Sequence, residues 1–396
     1  MRACFRWTRP RRHADWLDPP RILRHGKGHR CDWAQQQVNR HDSPQRLPYP
    51  RIRRRVRLGI ALAALALAWA VPAAARDLTV ALHDGLAPMA LREAVVRPFA
   101  EAASVAVDVQ AWEGGAAALR ARLEGGAGWD VLSLTGAEML AGCEAGLLEK
   151  LDWGALGGRD RMLPGGAAEC GLGVAVRGLV LAWDRDKMQG NPGWAEFGDV
   201  VKHPGRRGLR KQARGTLEIA LMADGVAPGE VYRALRTEAG VERAFRRLEQ
   251  LRPYIVWWQD DVEAARLLAS GEVLMTSAPS SGIAEAMREL GRPFAVQWNG
   301  GLTSVVALTI VRGTANLGNA VRLLAHAADP RVQAGLAARA VLGPMARGAL
   351  EGVPAEVQAL LATGQPALGT TLAADEAFWR DNLAKLSQRL DAWLPR

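Results

Sequence analysis

Between Leu78 and Leu134 short β-rich runs alternate with helix-length segments, and this alternation constrains the fold more than any other feature. Leu78–Leu82 (LTVAL) ends in His83-Asp84-Gly85, Val105–Val109 alternates apolar and polar residues, and Trp129–Leu134 (WDVLSL) completes the set. Helical spacing fills Pro88–Ala103 and Ala116–Leu123 between them. Connections of that length join parallel strands, so a β-α-β-α-β unit on an open parallel sheet is expected. Such a sheet binds its ligand beyond the carboxyl ends of its strands. Those ends supply the first candidate binding residues: His83, Asp84, Glu113, Ser133 and Thr135.

A helix over Ala137–Leu147 follows, and then Gly173–Trp183 (GVAVRGLVLAW), a long strand run without helical period. Ser304–Val311 (SVVALTIV) has the same character, and each suits a segment that crosses between two lobes. Between them lie a basic stretch, Gly205–Arg214, before a helix over Thr216–Ala223, and helical spacing over Val231–Leu251. Tyr254–Gln259 (YIVWWQ) reads as a strand closed by Asp260-Asp261, Val262–Gly271 as a helix, and Glu272–Ser277 as a strand ending in a turn over Ala278–Gly282. Phe294–Trp298 is expected to be a strand and Asn299-Gly300-Gly301 a turn. Helices over Asn316–Ala328, Arg331–Ala340, Pro354–Thr363 and Asp375–Leu394 complete the chain. The expected architecture is α/β and two-lobed, with residues 180–300 as a second lobe inserted into a first lobe built from 76–179 and 301–396.

Arg51–Arg76 (RIRRRVRLGIALAALALAWAVPAAAR) has the form of a secretion signal. Five arginines precede an uncharged apolar run, Leu58–Val71, and Ala73-Ala74-Ala75 offers a cleavage site. The apolar run is 14 residues, short of the roughly 20 that span a bilayer. Export to the periplasm with cleavage near Ala75 is expected. No cysteine follows the run to carry a lipid. Residues 1–50 lack apolar periodicity and contain no methionine after Met1, which points to a start placed too far upstream, with Val56 or a neighbour as the initiator.

This division also explains the charge. The whole chain has net charge +10, but residues 1–57 hold fifteen arginines and one lysine against four aspartates. The remaining chain keeps 35 basic and 37 acidic residues. A nucleic-acid function built on the basic balance would rest on the leader alone, and no nucleic-acid-binding motif supports one. Cys143 and Cys170 are the two cysteines outside the leader; an oxidising compartment allows a bridge between them, and two separately buried thiols fit equally well. The chain beyond the signal has three histidines, His83, His203 and His326, without metal-ligand spacing, and no G-x-S-x-G or P-loop motif. No catalytic residue, metal or cofactor is expected, and a secreted hydrolase acting through Ser280 lacks a marked base.

Several motifs in order carry a family resemblance: Gly126-Ala127-Gly128-Trp129-Asp130-Val131, Gly178–Lys187 (GLVLAWDRDK), Asn191–Phe197 (NPGWAEF), Leu267–Val273 (LLASGEV) and Asp329–Ala334 (DPRVQA). With them the sequence resembles the periplasmic solute-binding proteins of ABC importers, most closely the spermidine/putrescine-binding branch. The resemblance implies a type II periplasmic-binding-protein-like fold with two hinge-crossing segments and a cleft between lobes. It also implies a monomer that captures a small solute and delivers it to the permease subunits of an importer, without nucleic acid. A ferric-binding relative is disfavoured because only Tyr232 and Tyr254 remain after processing, and they are not adjacent.

A polyamine is the solute that the resemblance favours, but several acids and tryptophans of that branch have no counterpart here. Lys211-Gln212, followed by Arg214, stand where the branch has an acidic loop, Pro279 near one of its tryptophans, and Ser304 near its Trp-x-Asp. Substitutes are sought in Asp84, Glu113, Trp258, Asp260 and Trp298, with hydrogen-bond donors from Ser277, Ser280, Thr303 and Ser304. The alternative is an anionic solute held by the basic loop 206–214 (Arg206, Arg207, Arg210, Lys211, Arg214) before the Thr216 helix.

Overall fold

The computed structural model describes residues 76–394, which fall within one unit spanning Ala73–Arg396; the leader and signal expected over 1–75 lie outside the described residues. Its strands are β1 (Leu78–His83), β2 (Val107–Trp112), β3 (Val131–Thr135), β4 (Leu172–Asp184), β5 (Arg207–Arg210), β6 (Ile255–Trp258), β7 (Met275–Pro279), β8 (Phe294–Ile310) and β9 (Leu372–Ala373). They form one sheet in the order β2-β1-β3-β8-β4-β7-β5-β6, with β9 against β8. At one end β1 pairs in parallel with β2 and β3, and at the other β5 pairs in parallel with β6 and β7. The long strands β4 and β8 join these blocks as an antiparallel pair. One end of β8 pairs with β3, and the far half of β4 pairs with β7. The two apolar runs expected to cross between lobes are the strands that join the two parallel blocks.

The principal helices are α1 (88–103), α2 (Ala116–Glu124), α3 (Gly136–Glu144), α4 (Trp194–Gly198), α5 (Ala213–Ala223), α6 (Val231–Leu235), α7 (Glu238–Leu251), α8 (Asp261–Ser270), α9 (Ser280–Leu290), α10 (Leu317–Ala327), α11 (Pro330–Ala340), α12 (Ala355–Gln358) and α13 (Glu376–Trp393). The inner strands β1 and β3 are covered on both faces and read as largely apolar runs, whereas the edge strand β2 alternates because one of its faces is exposed. In the first block Phe99, Leu324 and Leu336 pack on one face, and Trp112, Leu119 and Met139 on the other. In the second, Leu217, Phe245 and Trp379 oppose Trp258, Leu268 and Ile283. Each such large side chain, fully buried, contributes about 1.5–3 kcal/mol. The helix ends follow local chemistry. Thr135 and Glu138 form a reciprocal capping box at α3, Asp260 caps α8 by accepting from Glu263 N–H, and Gly271 ends α8 at φ +75°.

The structure differs from the sequence expectation in several places, beginning with the unexpected strands β5 inside the basic stretch and β9. Phe294–Ile310 is one strand, because the ladder to β4 continues past Gly300, whose φ of +73° bends the chain without ending the pairing. Ala278–Gly282 is no open turn, since Pro279 ends β7 and directly precedes α9. The helical run 231–251 breaks at Arg236-Thr237, where the Thr237 side chain caps α7. The expected helix Pro354–Thr363 shrinks to the single turn α12. The two thiols left open by the sequence are joined: Cys143 near the end of α3 is bonded to Cys170 just before β4, with the Cα atoms 5.7 Å apart.

Candidate functional site

A cleft of about 610 Å³ opens beyond the carboxyl ends of β1, β3 and β5, where an open sheet places its ligand. The crossing strands floor it with Arg177-Gly178-Leu179 and Leu302-Thr303-Ser304, and α13 covers it with Trp379, Arg380 and Leu383. Four arginines line it, Arg177, Arg210, Arg214 and Arg380, against two glutamates, Glu138 and Glu218.

Arg177 is the one charge in the apolar run Gly173–Trp183. Its guanidinium donates to the Gly85 carbonyl (2.6 Å) and to Asp261 (2.7 Å). Arg210 ends β5 with its guanidinium 5.5 Å from the Trp258 ring centroid and has no carboxylate partner among the described residues. Burial pulls its pKa below the usual arginine value; nearby Asp261 opposes this, and Arg177 and Arg214 reinforce it. Arg214 pairs with Glu376 at 2.7 Å. Burial disfavours the Arg214 cation, but Glu376 together with Glu218 and Tyr232 outweighs it and holds the pKa above the usual value. The Arg214 backbone is extended and Gly215 adopts φ +89°, so that the helix proper starts at Thr216. This kink lets Gly215 N–H reach Glu218 (2.8 Å), and a Cβ at Gly215 would lie 2.9 Å from Leu179.

On the opposite wall His83 Nδ1 accepts from Gly85 N–H (2.9 Å), which leaves the ring proton on Nε2, 3.6 Å from Glu138. Trp112 packs edge-on against this ring. Glu138 also accepts from the Gly115 and Thr135 N–H groups. Burial alone would raise the Glu138 pKa, but His83, Gly115 and Thr135 together hold it below the usual carboxylate value. Glu218 is fully buried beneath the cleft, bonded to Tyr232 and Trp379, and burial raises its pKa.

Of the residues expected from sequence, the cleft brings together His83, Thr135, Gln212, Arg214, Thr303 and Ser304. The others stand elsewhere. Asp84 and Lys211 are exposed outside the lining, and Glu113 is turned outward toward Arg122. Ser133 is buried behind His83, whose N–H it receives. Trp258 belongs to the core under α8 and reaches the cleft only through Arg210. Asp260 is the α8 cap. Ser277 and Ser280 are buried at the end of β7, and Trp298 is packed against Gly178, where a Cβ would come within 2.6 Å of its ring. Of the basic residues in the loop only Arg210 and Arg214 reach the cleft. Arg206 pairs with Glu272 on the surface. Arg207 is buried and donates to the Phe197, His203 and Gly205 carbonyls, and burial lowers its pKa to about 10.

Sequence reasoning missed Arg177, although a lone charge inside an apolar strand marked it, and Glu138, although Thr135-x-x-Glu138 has the capping-box spacing; it also missed Glu218, Trp379 and Arg380, which only tertiary packing brings in. Among the described residues there is no cluster of three metal-ligating side chains and no helix long and apolar enough to cross a membrane.

The bacterial extracellular solute-binding protein family model matches residues 94–363. The gamma-aminobutyric acid-binding protein of Pseudomonas aeruginosa is 37% identical over 339 residues, covering 85% of this chain and 96% of that protein. An ABC transporter substrate-binding protein from Bradyrhizobium japonicum superposes with TM-score 0.71 at 29% identity, covering 81% of this chain and 99% of that one. The binding protein MotA of A. tumefaciens B6, solved with glucopine, gives TM-score 0.70 at 26% identity, covering 80% and 99%. A two-lobed fold, a cleft at the crossing strands and these matches agree: the chain belongs to the bacterial extracellular solute-binding proteins, as the substrate-binding component of an ABC transporter and not as an enzyme.

Proposed function

We propose that the protein is exported to the periplasm and captures a small solute by its carboxylate, which docks on Arg210 between Arg177 and Arg214. One observation carries this reading: Arg210 is a partly buried guanidinium on the cleft wall without a carboxylate of its own. A desolvated cation without a counter-charge is costly. A solute carboxylate supplies the missing charge, and the forked donors of arginine suit it. The relative in Pseudomonas aeruginosa, named for gamma-aminobutyric acid, makes that ω-amino acid the first solute to test. A polyamine fits less well, because a dication entering this cleft meets four arginines and two glutamates that the protein already engages.

Residues 76–179 and the return from 301 serve as one lobe and 180–300 as the other, with α13 packing back onto α5 and α7 of the second. Solute bridging the two would favour the closed form for delivery to a permease. A thermal-shift series tests the solute class. Gamma-aminobutyrate should raise the melting temperature while putrescine and spermidine leave it unchanged; stabilisation by the polyamines alone would overturn the reading.

A further inference from the structure

The acceptors of the cleft are as informative as its donors. Glu138 Oε1 accepts from Gly115 N–H (2.5 Å) and faces His83 Nε2, while Oε2 accepts from the Thr135 N–H (2.9 Å) and hydroxyl (2.8 Å). Glu218 Oε1 accepts from Tyr232 (2.9 Å) and Trp379 (2.8 Å), and Oε2 from Gly215 N–H (2.8 Å). Every carboxylate oxygen on the cleft wall is therefore held by a protein donor, three of the donors being backbone N–H groups that cannot turn aside. Glu218 has no exposed surface at all. Asp261 and Glu376 are outside the lining; one oxygen of each is paired, with Arg177 and Arg214, and the second oxygen of Glu376 is buried without a partner among the described residues.

An ammonium group entering this cleft finds no uncommitted carboxylate on its wall. To reach Glu138 or Glu218 it would have to leave water for their buried surroundings and compete with the donors already there, and that desolvation offsets what the new contact returns. The same cleft is lined by the uncharged polar side chains of Thr303, Ser304, Ser387 and Gln212. These bond to a hydroxyl as well as to an ammonium.

We propose that recognition is confined to the carboxylate end of the solute, whose other end meets uncharged polar groups and only carboxylates that the protein already engages. The solute class is then short ω-substituted monocarboxylates, hydroxy as readily as amino. This inference rests on the carboxylate reading above. A site built around a buried partner for a particular group rejects analogues lacking that group by large factors, about 10⁴ or more, whereas an indifferent one does not.

Isothermal titration at neutral pH with gamma-aminobutyrate, 4-hydroxybutyrate and 4-aminobutanamide separates the possibilities. The two acids should bind with dissociation constants within about fivefold of each other, and the amide, which keeps the amine and loses the carboxylate, should not bind. A preference for the amino acid over the hydroxy acid beyond about fivefold would overturn the inference while leaving the carboxylate reading intact. Binding of the amide with neither acid bound would overturn both, as would no binding of any of the three.

Discussion

Arg177 and Asp261, 84 positions apart, are joined at 2.7 Å, and the other amino group of the same guanidinium holds the Gly85 carbonyl at 2.6 Å. One side chain on a crossing strand thus ties the turn after β1 to the start of α8, linking the two parallel blocks beside the cleft. Arg177→Gln should lower stability by about 1–2 kcal/mol, the Asp261 contribution being discounted for its exposure. Urea unfolding measures this, and an unchanged midpoint would show that the tie is incidental.

Glu376 on α13 lies against Gly136 at the start of α3, where an added Cβ would meet its Cγ at 2.5 Å, while its carboxylate pairs with Arg214. One turn on, Arg380 pairs with Glu144 at the other end of α3. This helix therefore faces the first block while Trp379, Leu386 and Leu390 anchor it in the core of the second. Gly136→Ala should push α13 off α3 and weaken solute binding by about tenfold or more, about 1.4 kcal/mol. Full affinity in titrations of that variant would rule out α13 as part of the closed cleft.

The pH dependence has a definite sign. Glu138 is held below its ordinary value of 4.5, so its contribution is complete above that value and is lost as pH falls through the lowered pKa. Glu138→Gln should cost about 1–2 kcal/mol at pH 7, and the difference from wild type should shrink in acid. Melting curves across the acid range that stay parallel would contradict this.

The Cys143–Cys170 bond closes a loop with a sequence separation of 27 and fastens α3, whose first turn carries Thr135 and Glu138, to the start of crossing strand β4. Replacing both cysteines by serine should cost about 3.5 kcal/mol on the chain-entropy model. Equal melting temperatures with and without reductant would count against a structural role.

The fold was legible where residue pattern and local geometry agree. The β-α-β-α-β opening and the two apolar crossing runs needed only periodicity and length. The site was legible at the strand ends, as for His83 and Thr135, and at the basic loop, as for Arg214. It was misread where one strand face was assumed to look into the cleft. The second block has core on both faces, so Trp258 turns into the core under α8 and offers its ring to Arg210. Glu113 was misplaced because Arg122, one helix away, draws it outward. The contribution of α13 has no local signature, since Glu376, Trp379 and Arg380 meet Arg214, Glu218 and Glu144 only after the whole chain has folded.

The carboxylate on Arg210 is the central claim, and calorimetric titration of gamma-aminobutyrate into wild type and Arg210→Gln, with matched circular dichroism spectra, tests it most directly. Wild type should show saturable binding that the variant weakens by about tenfold or more. Equal affinity in the two proteins would contradict it.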